Sequence, residues 1–594
     1  FCENSGGIFD RSLHYKKYVC KKMKIDINGR REFIKNSGLI LGILSIDNNF
    51  MITNEGGVAN QELLKKLSII NDSKIKSLLN RQISDPNSRW DGGVKDIFQV
   101  PNAHSSMNFI IKLCSAFISP YSKFYQSDKL ENAINNAIKC IVSVQHEDGT
   151  IDLHSTNFHS TPDTAFFVNY LSPVYLTLKN LNQPRLENLI TNFEIFLKNT
   201  SKCLLVGGAH TANHRWVICS ALARINSFFP SPKLIDRIEV WLNEGIDLDP
   251  DGQYTERSVG GYSPVCDEMF ITMGRLLNRN DLFDVARKNL DMTLYYIQPG
   301  GEVLTDASGR QDSDKISDLA EYYYSYLYFS HRDKNPVYAA VCDFIENNLT
   351  HKLIRFIPYL FENQYLLNKR VSPTKFPTSY FKRFKHSGVF RIRQSNFDVS
   401  IIENNLTFMS LIKGSAVLQS LRLGSTFFGS RGQFTAENIE VNKNQVILTK
   451  SIKHGYFQPF PKDKITGDGI YSKMPREQRK LSEPQVLNYK IKITLLDKKT
   501  LLALEVLGTN NVLVSLEMNF RKGGKLSGVI SDQNRPDSYF LKDGWGTYSK
   551  DGSVITFGPG KIEHQWGTMR GMEEKPNGNT VYVNGHTPFN HVLE

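Results

Sequence analysis

The sequence predicts a multidomain α+β protein in which a run of helical hairpins is followed by an antiparallel β domain. Three observations carry this. Glycine-bearing loops recur at Gly92, Gly149, Gly207, Gly252 and Gly301, in steps of 57, 58, 45 and 49 residues. Two helices with their turns occupy roughly 50 residues, so the steps mark a degenerate hairpin repeat. Around Phe376 the apolar pattern changes from helical spacing to a period of two.

Taken in order, residues 1–50 read as a leader. They open without Met, and the natural start is expected at Met23. Arg30-Arg31-Glu32-Phe33-Ile34-Lys35, followed by the apolar run Leu39–Ile46, matches a twin-arginine export signal. That run is too short to span a membrane. An exported protein, periplasmic or extracellular, is expected.

The helical domain is expected over 55–370. An amphipathic helix at 60–83 carries Leu63, Leu64, Leu67, Ile69, Ile70, Ile75, Leu78 and Leu79. Further helices are expected near 103–118, 128–146, 162–181, 185–199, 211–229, 232–245, 263–278, 280–297, 312–331 and 335–349. Loop chemistry repeats as well: Asp148-Gly149-Thr150, Asp251-Gly252-Gln253 and Gly300-Gly301-Glu302 each end one helix and turn into a short extended piece. Such hairpins curve into a ring or run on as a solenoid.

The β domain is expected over 376–594, most simply as a sandwich. Short β-rich runs such as Gly388–Arg393, Leu406–Ile412, Lys490–Leu496 and Leu501–Val506 alternate with turns at Gly508 and Gly523-Gly524. An insertion from Pro459 to Pro484 carries Lys462, Lys464, Lys473, Arg476, Arg479 and Lys480 with few apolar residues. It reads as a solvated loop or as a flap that meets a polyanion. The eight cysteines include no C-x-x-C pair, so buried free thiols are expected, not a disulfide framework or a zinc site.

Hydrophobic content of 40% with 22% charged residues describes an ordinary globular protein. The net charge of +12 suits a solvated basic surface or attraction of a polyanion. No zinc-finger spacing, RNA-binding signature or basic arm points to nucleic acid. An acidic polysaccharide fits the charge equally well. No cofactor is called for, and a structural divalent metal in the β domain stays open.

Chemistry gathers in two stretches. Gly207-Gly208-Ala209-His210-Thr211-Ala212-Asn213-His214-Arg215-Trp216 opens one helix, and the run from Asp251 to Tyr262 opens another. Each places polar groups at the head of an apolar helix, where loop backbone and helix N-termini share a rim.

With these residues in hand, the chain resembles the heparinase II/III-like and alginate-lyase group of polysaccharide lyases. The resemblance rests on helical hairpins followed by a sandwich, Asn213-His214 at one helix head, and Asp251-Gly252-x-x-x-Glu256-Arg257-Ser258 ending in Tyr262. It implies an (α/α) toroid and β-elimination at a uronic acid. It also implies that Asn213 and His214 hold the substrate carboxylate, with His214 an alternative base, and that Tyr262 is base, acid or both. Arg257 suits carboxylate binding by its fork geometry. Two departures stand out. Gly260-Gly261 adds one residue before Tyr262, and the His-x-His-x-Asp run at the start of the sandwich is missing.

Around that core, Glu256, Tyr254 and Arg215 are expected to contact substrate. His104, His159 and Trp90 sit on equivalent loops, as does His154. Glu256 and Arg257 could instead pair with each other. Two other functions remain open at this point: a glycoside hydrolase using carboxylates among Asp163, Glu256 and Asp306, and a non-catalytic binder of acidic glycans.

Overall fold

The computed structural model describes residues 58–594 apart from Asp314 and Lys498. The leader reading and the start at Met23 lie outside the described residues. Among the described residues there are twelve α-helices: α1 (Val58–Leu79), α2 (Ala103–Ile118), α3 (Asp128–Val144), α4 (Thr161–Asn180), α5 (Glu187–Val206), α6 (Ala212–Phe228), α7 (Pro232–Leu242), α8 (Tyr262–Leu276), α9 (Asn280–Thr293), α10 (Tyr323–Arg332), α11 (Pro336–Asn348) and α12 (Ile357–Glu362). None among the described residues is long and apolar enough to cross a membrane.

Local chemistry sets the helix starts. Asn102 accepts the Ser105 amide ahead of α2, and Ser160 accepts the Asp163 amide ahead of α4. Asn335 caps α11, with Pro336 at its first position. Burial then sorts the helices. α4, α6 and α8 are buried nearly all round, whereas α7 buries only Leu234 and Ile238, one turn apart. The former make an inner layer and the latter type an outer one.

The glycine loops mark one end of this arrangement. Gly149 has φ +88°, and a Cβ there would lie 2.2 Å from the Asn199 carbonyl oxygen on α5. Gly252 has φ +103° and would meet Lys288 on α9 at 2.4 Å. Only glycine fits such a close approach. Gly92 abuts α3 and Gly301 abuts α11 in the same way. Gly207 differs: it is extended at the end of α5, and its carbonyl accepts Arg237 Nη2 from α7 at 2.9 Å. Each loop thus sits against the outer helix of the following hairpin, at the end where α2, α4, α6, α8 and α10 begin.

The far end is closed by the segment Thr350–Glu362, which returns to pack on α1, α2 and α4 and completes a ring. Buried Glu362 on α12 meets Arg224 of α6 and Arg275 of α8, each at 2.8 Å. Burial opposes its ionisation, yet the two guanidinium groups hold its carboxyl down at about 2.

One expected helix is corrected. The stretch 312–331 is helical only from α10, after a 3-10 turn at Leu319–Tyr322. Before that, the Asp312 carboxylate takes the Gly260 amide at 2.8 Å and the hydroxyls of Ser258 and Ser308, which holds 305–318 as a loop over the head of α8.

The β region is a sandwich. Nine strands run in the order 530–531, 538–540, 579–586, 513–520, 416–425, 409–413, 397–402, 389–394 and 379–384. Five more, 438–442, 445–457, 481–496, 499–508 and 589–593, form the facing sheet. Pairing is antiparallel except between 538–540 and 579–586. Leu421, Leu423 and Leu516 of one sheet pack with Leu448, Ile491 and Val506 of the other. Helical and β regions form one compact unit. Arg521 forks onto Glu302 at 2.7 and 2.9 Å, and Asp251 accepts the amides of His386 and Ser387.

Candidate active site

At the heads of α6 and α8 a chain of polar contacts links three elements. Glu256 Oε2 accepts the Asn213 backbone amide at 3.0 Å and the Asn213 side-chain amide at 2.7 Å. Its other oxygen faces Arg310 Nε at 3.5 Å. Arg310 in turn lies over the Tyr262 ring, 5.7 Å from the centroid. Asn213 is buried, Tyr262 half-buried. The Tyr262 amide donates to Ser258 Oγ at 3.0 Å, and Asp312 holds that serine. Gly260 is needed at this bend, because a Cβ there would meet Ser317 Oγ at 2.3 Å.

His214 follows Asn213 into the first turn of α6. It is buried, its Nδ1 meets no protein partner, and its ring stands edge-on to His210 at 4.6 Å and to Phe166 at 6.3 Å. Burial, helped by His210 and Arg310, pushes its pKa down to about 4. The imidazole is therefore neutral near pH 7: a hydrogen-bonding group with a weak appetite for a proton. The fixed positive charge at this spot is Arg310, a residue the sequence reading did not select. Its signal was faint: Gly309-Arg310 sits in the fifth glycine loop, two residues before the misplaced helix start.

Asp163, on α4, lines the neighbouring position. Its Oδ2 accepts Asn157 Nδ2 at 2.9 Å and Ser160 Oγ at 2.5 Å, while Oδ1 faces His104 Nε2 at 3.7 Å. Burial lowers the His104 pKa, with Asp163 opposing. Trp90 meets His154 edge-on at 5.7 Å. These groups lie near His214 on the α2–α4 side.

Other expected contacts lie elsewhere. Tyr254 is in the core, 1% exposed, donating to Asp267 Oδ1 at 2.9 Å and stacked on Phe270. Arg215 points away to Glu244 at 3.2 Å and Asp247 at 3.0 Å. Arg257 has φ +48° and donates to the His386 carbonyl at 3.3 Å, so it joins the helical rim to the sandwich and does not pair with Glu256. His159 is exposed, paired with Asp148 at 2.9 Å and stacked on His146. Asp306 sits at the junction with the sandwich, where burial raises its carboxyl to about 6 and Ser410 bonds it. The three carboxylates weighed for hydrolysis are thus each engaged by other protein groups. Among the described residues no group of three His, Cys, Asp or Glu could hold a metal ion, and six cysteines are buried free thiols.

No family model and no curated protein sequence matches this chain. Solved structures do. A xanthan lyase of Paenibacillus superposes with a TM-score of 0.55 at 10% identity, over 90% of this chain and 57% of that one. A chondroitin AC lyase of Streptomyces coelicolor A3 gives 0.51 at 11% identity, over 90% of this chain and 78% of that one. Heparinase III gives 0.51 at 10% identity, over 96% and 86%. The chain spans little more than half of the xanthan lyase. At these identities the likeness is one of fold: a helical toroid followed by an antiparallel β-sandwich.

Proposed function

We propose that the chain is a polysaccharide lyase that cleaves a uronic-acid-containing polymer by β-elimination. The observation that carries the reading is the meeting of an amide, a neutral imidazole, a phenol and a guanidinium at the heads of α6 and α8, in Asn213, His214, Tyr262 and Arg310. Likeness of fold to xanthan lyase, chondroitin AC lyase and heparinase III supports it.

The chemistry needs these groups. The C5 proton of a uronate is weakly acidic until its carboxylate is neutralised. Arg310 supplies the charge for that, and the Asn213 amide and His214 imidazole supply hydrogen bonds that strengthen as the enolate forms. Tyr262, as phenolate, takes the C5 proton. The electron pair forms the C4–C5 double bond, the C4–O4 bond breaks, and the phenol returns its proton to the departing oxygen. His214 is the weaker candidate for base, because burial disfavours its charged form. The balance closes with Tyr262 regenerated and one unsaturated uronate made. Glu256 positions Asn213 and Arg310.

Incubation with a panel of uronate polymers tests this through the ultraviolet absorbance of the unsaturated product. Reducing ends without absorbance would mean hydrolysis, and neither signal would mean binding alone. We also propose export, on the Arg30–Lys35 pattern; a fusion of residues 23–50 to a reporter that stays cytoplasmic would overturn that part.

A further inference from the structure

The basic charge of this chain is concentrated in one region. Residues 371–594 hold 31 Lys and Arg against 19 Asp and Glu, whereas 58–370 hold 32 against 35. Three of the rim loops are the reverse of basic: 145–160, 243–261 and 294–322 together hold 14 acids against three Lys and Arg. A polyanion is therefore not drawn by the rim itself.

The segment 458–480 joins the long strands 445–457 and 481–496, which pair to their ends at Phe457 and Leu481. It projects from a particular end of the sandwich. Phe428 contacts His454 at 4.5 Å, Phe408 contacts Phe434, and Glu403 donates its amide to Gly388. These contacts gather at one end of the sandwich, joining the base of the segment to the turns at 385–388 and 403–408. The same two turns dock on the helical rim: His386 and Ser387 on Asp251, and Asn405 on the Asp306 carbonyl at 2.8 Å. The segment thus rises from the rim-facing end of the sandwich.

Its surface combines charge and aromatic rings. Arg431, Lys453, Lys462, Lys464, Arg476 and Lys480 are exposed. Lys473 pairs with Asp468 at 2.8 Å, but those six make no ion pair among the described residues. Tyr456 is 62% and Tyr471 51% exposed, and Arg479 stacks between Tyr471 and Phe460 at 4.5 and 5.2 Å. Unpaired cations with flat apolar rings between them suit a chain of sugar rings bearing carboxylates.

We propose that segment 458–480 and the adjoining Arg431 and Lys453 form a second binding surface that grips an extended carboxylate-bearing polysaccharide apart from the Asn213–Tyr262 site. The inference rests on the lyase reading for the identity of that polymer, not for the binding. The test is a variant carrying Lys462→Gln, Lys464→Gln, Arg476→Gln and Lys480→Gln, all at exposed positions. Wild type should be retarded in native gels cast with a uronate polymer and not with dextran. The variant should lose that retardation, and its KM for the polymer should rise about tenfold with kcat on a short oligosaccharide unchanged. Equal retardation of variant and wild type would overturn the proposal, and so would stronger retention of single-stranded DNA than of the uronate polymer. Retardation without unsaturated product would sink the lyase reading alone; product with retardation insensitive to the substitutions would sink the grip alone.

Discussion

Glu256 Oε2 accepts both the backbone and the side-chain N–H of Asn213, at 3.0 and 2.7 Å. One carboxylate oxygen from the loop before α8 therefore caps α6 and fixes the amide expected to meet substrate. The second Asn213 side-chain N–H goes to Thr211 Oγ1 at 3.2 Å, a longer bond that a substrate carboxylate can replace. Glu256→Ala should cost about 1–2 kcal/mol in stability, the usual loss for a helix cap, and should lower turnover as far as Asn213→Ala does. Denaturation curves and elimination rates of the two variants check this; an active Glu256→Ala enzyme would show that Asn213 needs no anchor.

Two tyrosines, Tyr254 in the loop before α8 and Tyr262 at the first residue of α8, separate chemistry from packing. Tyr262→Phe removes the proton-carrying oxygen of a half-buried ring, so elimination should fall below detection with the melting temperature nearly unchanged. Tyr254→Phe removes a buried hydrogen bond to Asp267. It should cost about 1–3 kcal/mol in stability and leave kcat near wild type. The reverse pattern would move the catalytic phenol to Tyr254.

The helices were legible because apolar spacing and glycine loops report local structure, and both survive in this chain. Asn213, His214 and Tyr262 stood out for the same reason, lying at the first turns of apolar helices. Residues acting across elements did not. Glu256 was visible as a polar residue, but its bond to Asn213 joins positions 43 apart in sequence. Arg215 and Arg257 were selected by type, and only tertiary structure shows their guanidinium groups aimed at Asp247 and the sandwich. Arg310 was hidden because Asp312 bonds the loop to Ser258, Gly260 and Ser308, interrupting a stretch that otherwise reads as helix.

Arg310 supplies the positive charge beside Tyr262 and Glu256. Arg310→Ala should lower elimination on a uronate polymer about 100- to 1000-fold, the range seen when a charge-stabilising donor is lost from such a site. Arg310→Lys should recover part of that, since it restores charge but not the planar fork. Turnover of all three proteins on one substrate decides it. A silent Arg310→Ala would leave the carboxylate to Asn213 and His214.

The last prediction concerns acid. His214 has its pKa lowered to about 4 by burial, against an ordinary value of 6.5. Between those values the unfolded chain binds a proton that the folded chain refuses, so stability must fall as pH falls from about 6.5 to about 4. The full shift corresponds to about 3 kcal/mol. His331, half-buried on α10 and also lowered to about 4, adds a separate share of the same sign. His214→Gln keeps a polar side chain at the site and removes only the first contribution. Denaturant midpoints measured from pH 7 to pH 4 should therefore drop less steeply in His214→Gln than in wild type, by an amount that approaches about 3 kcal/mol at the acid end. Parallel curves would mean that the folded protein takes up a proton at His214 as readily as the unfolded chain does, so that the imidazole is charged below about pH 6.5. It would then meet the substrate as a cation, and the charge assigned to Arg310 alone would be shared.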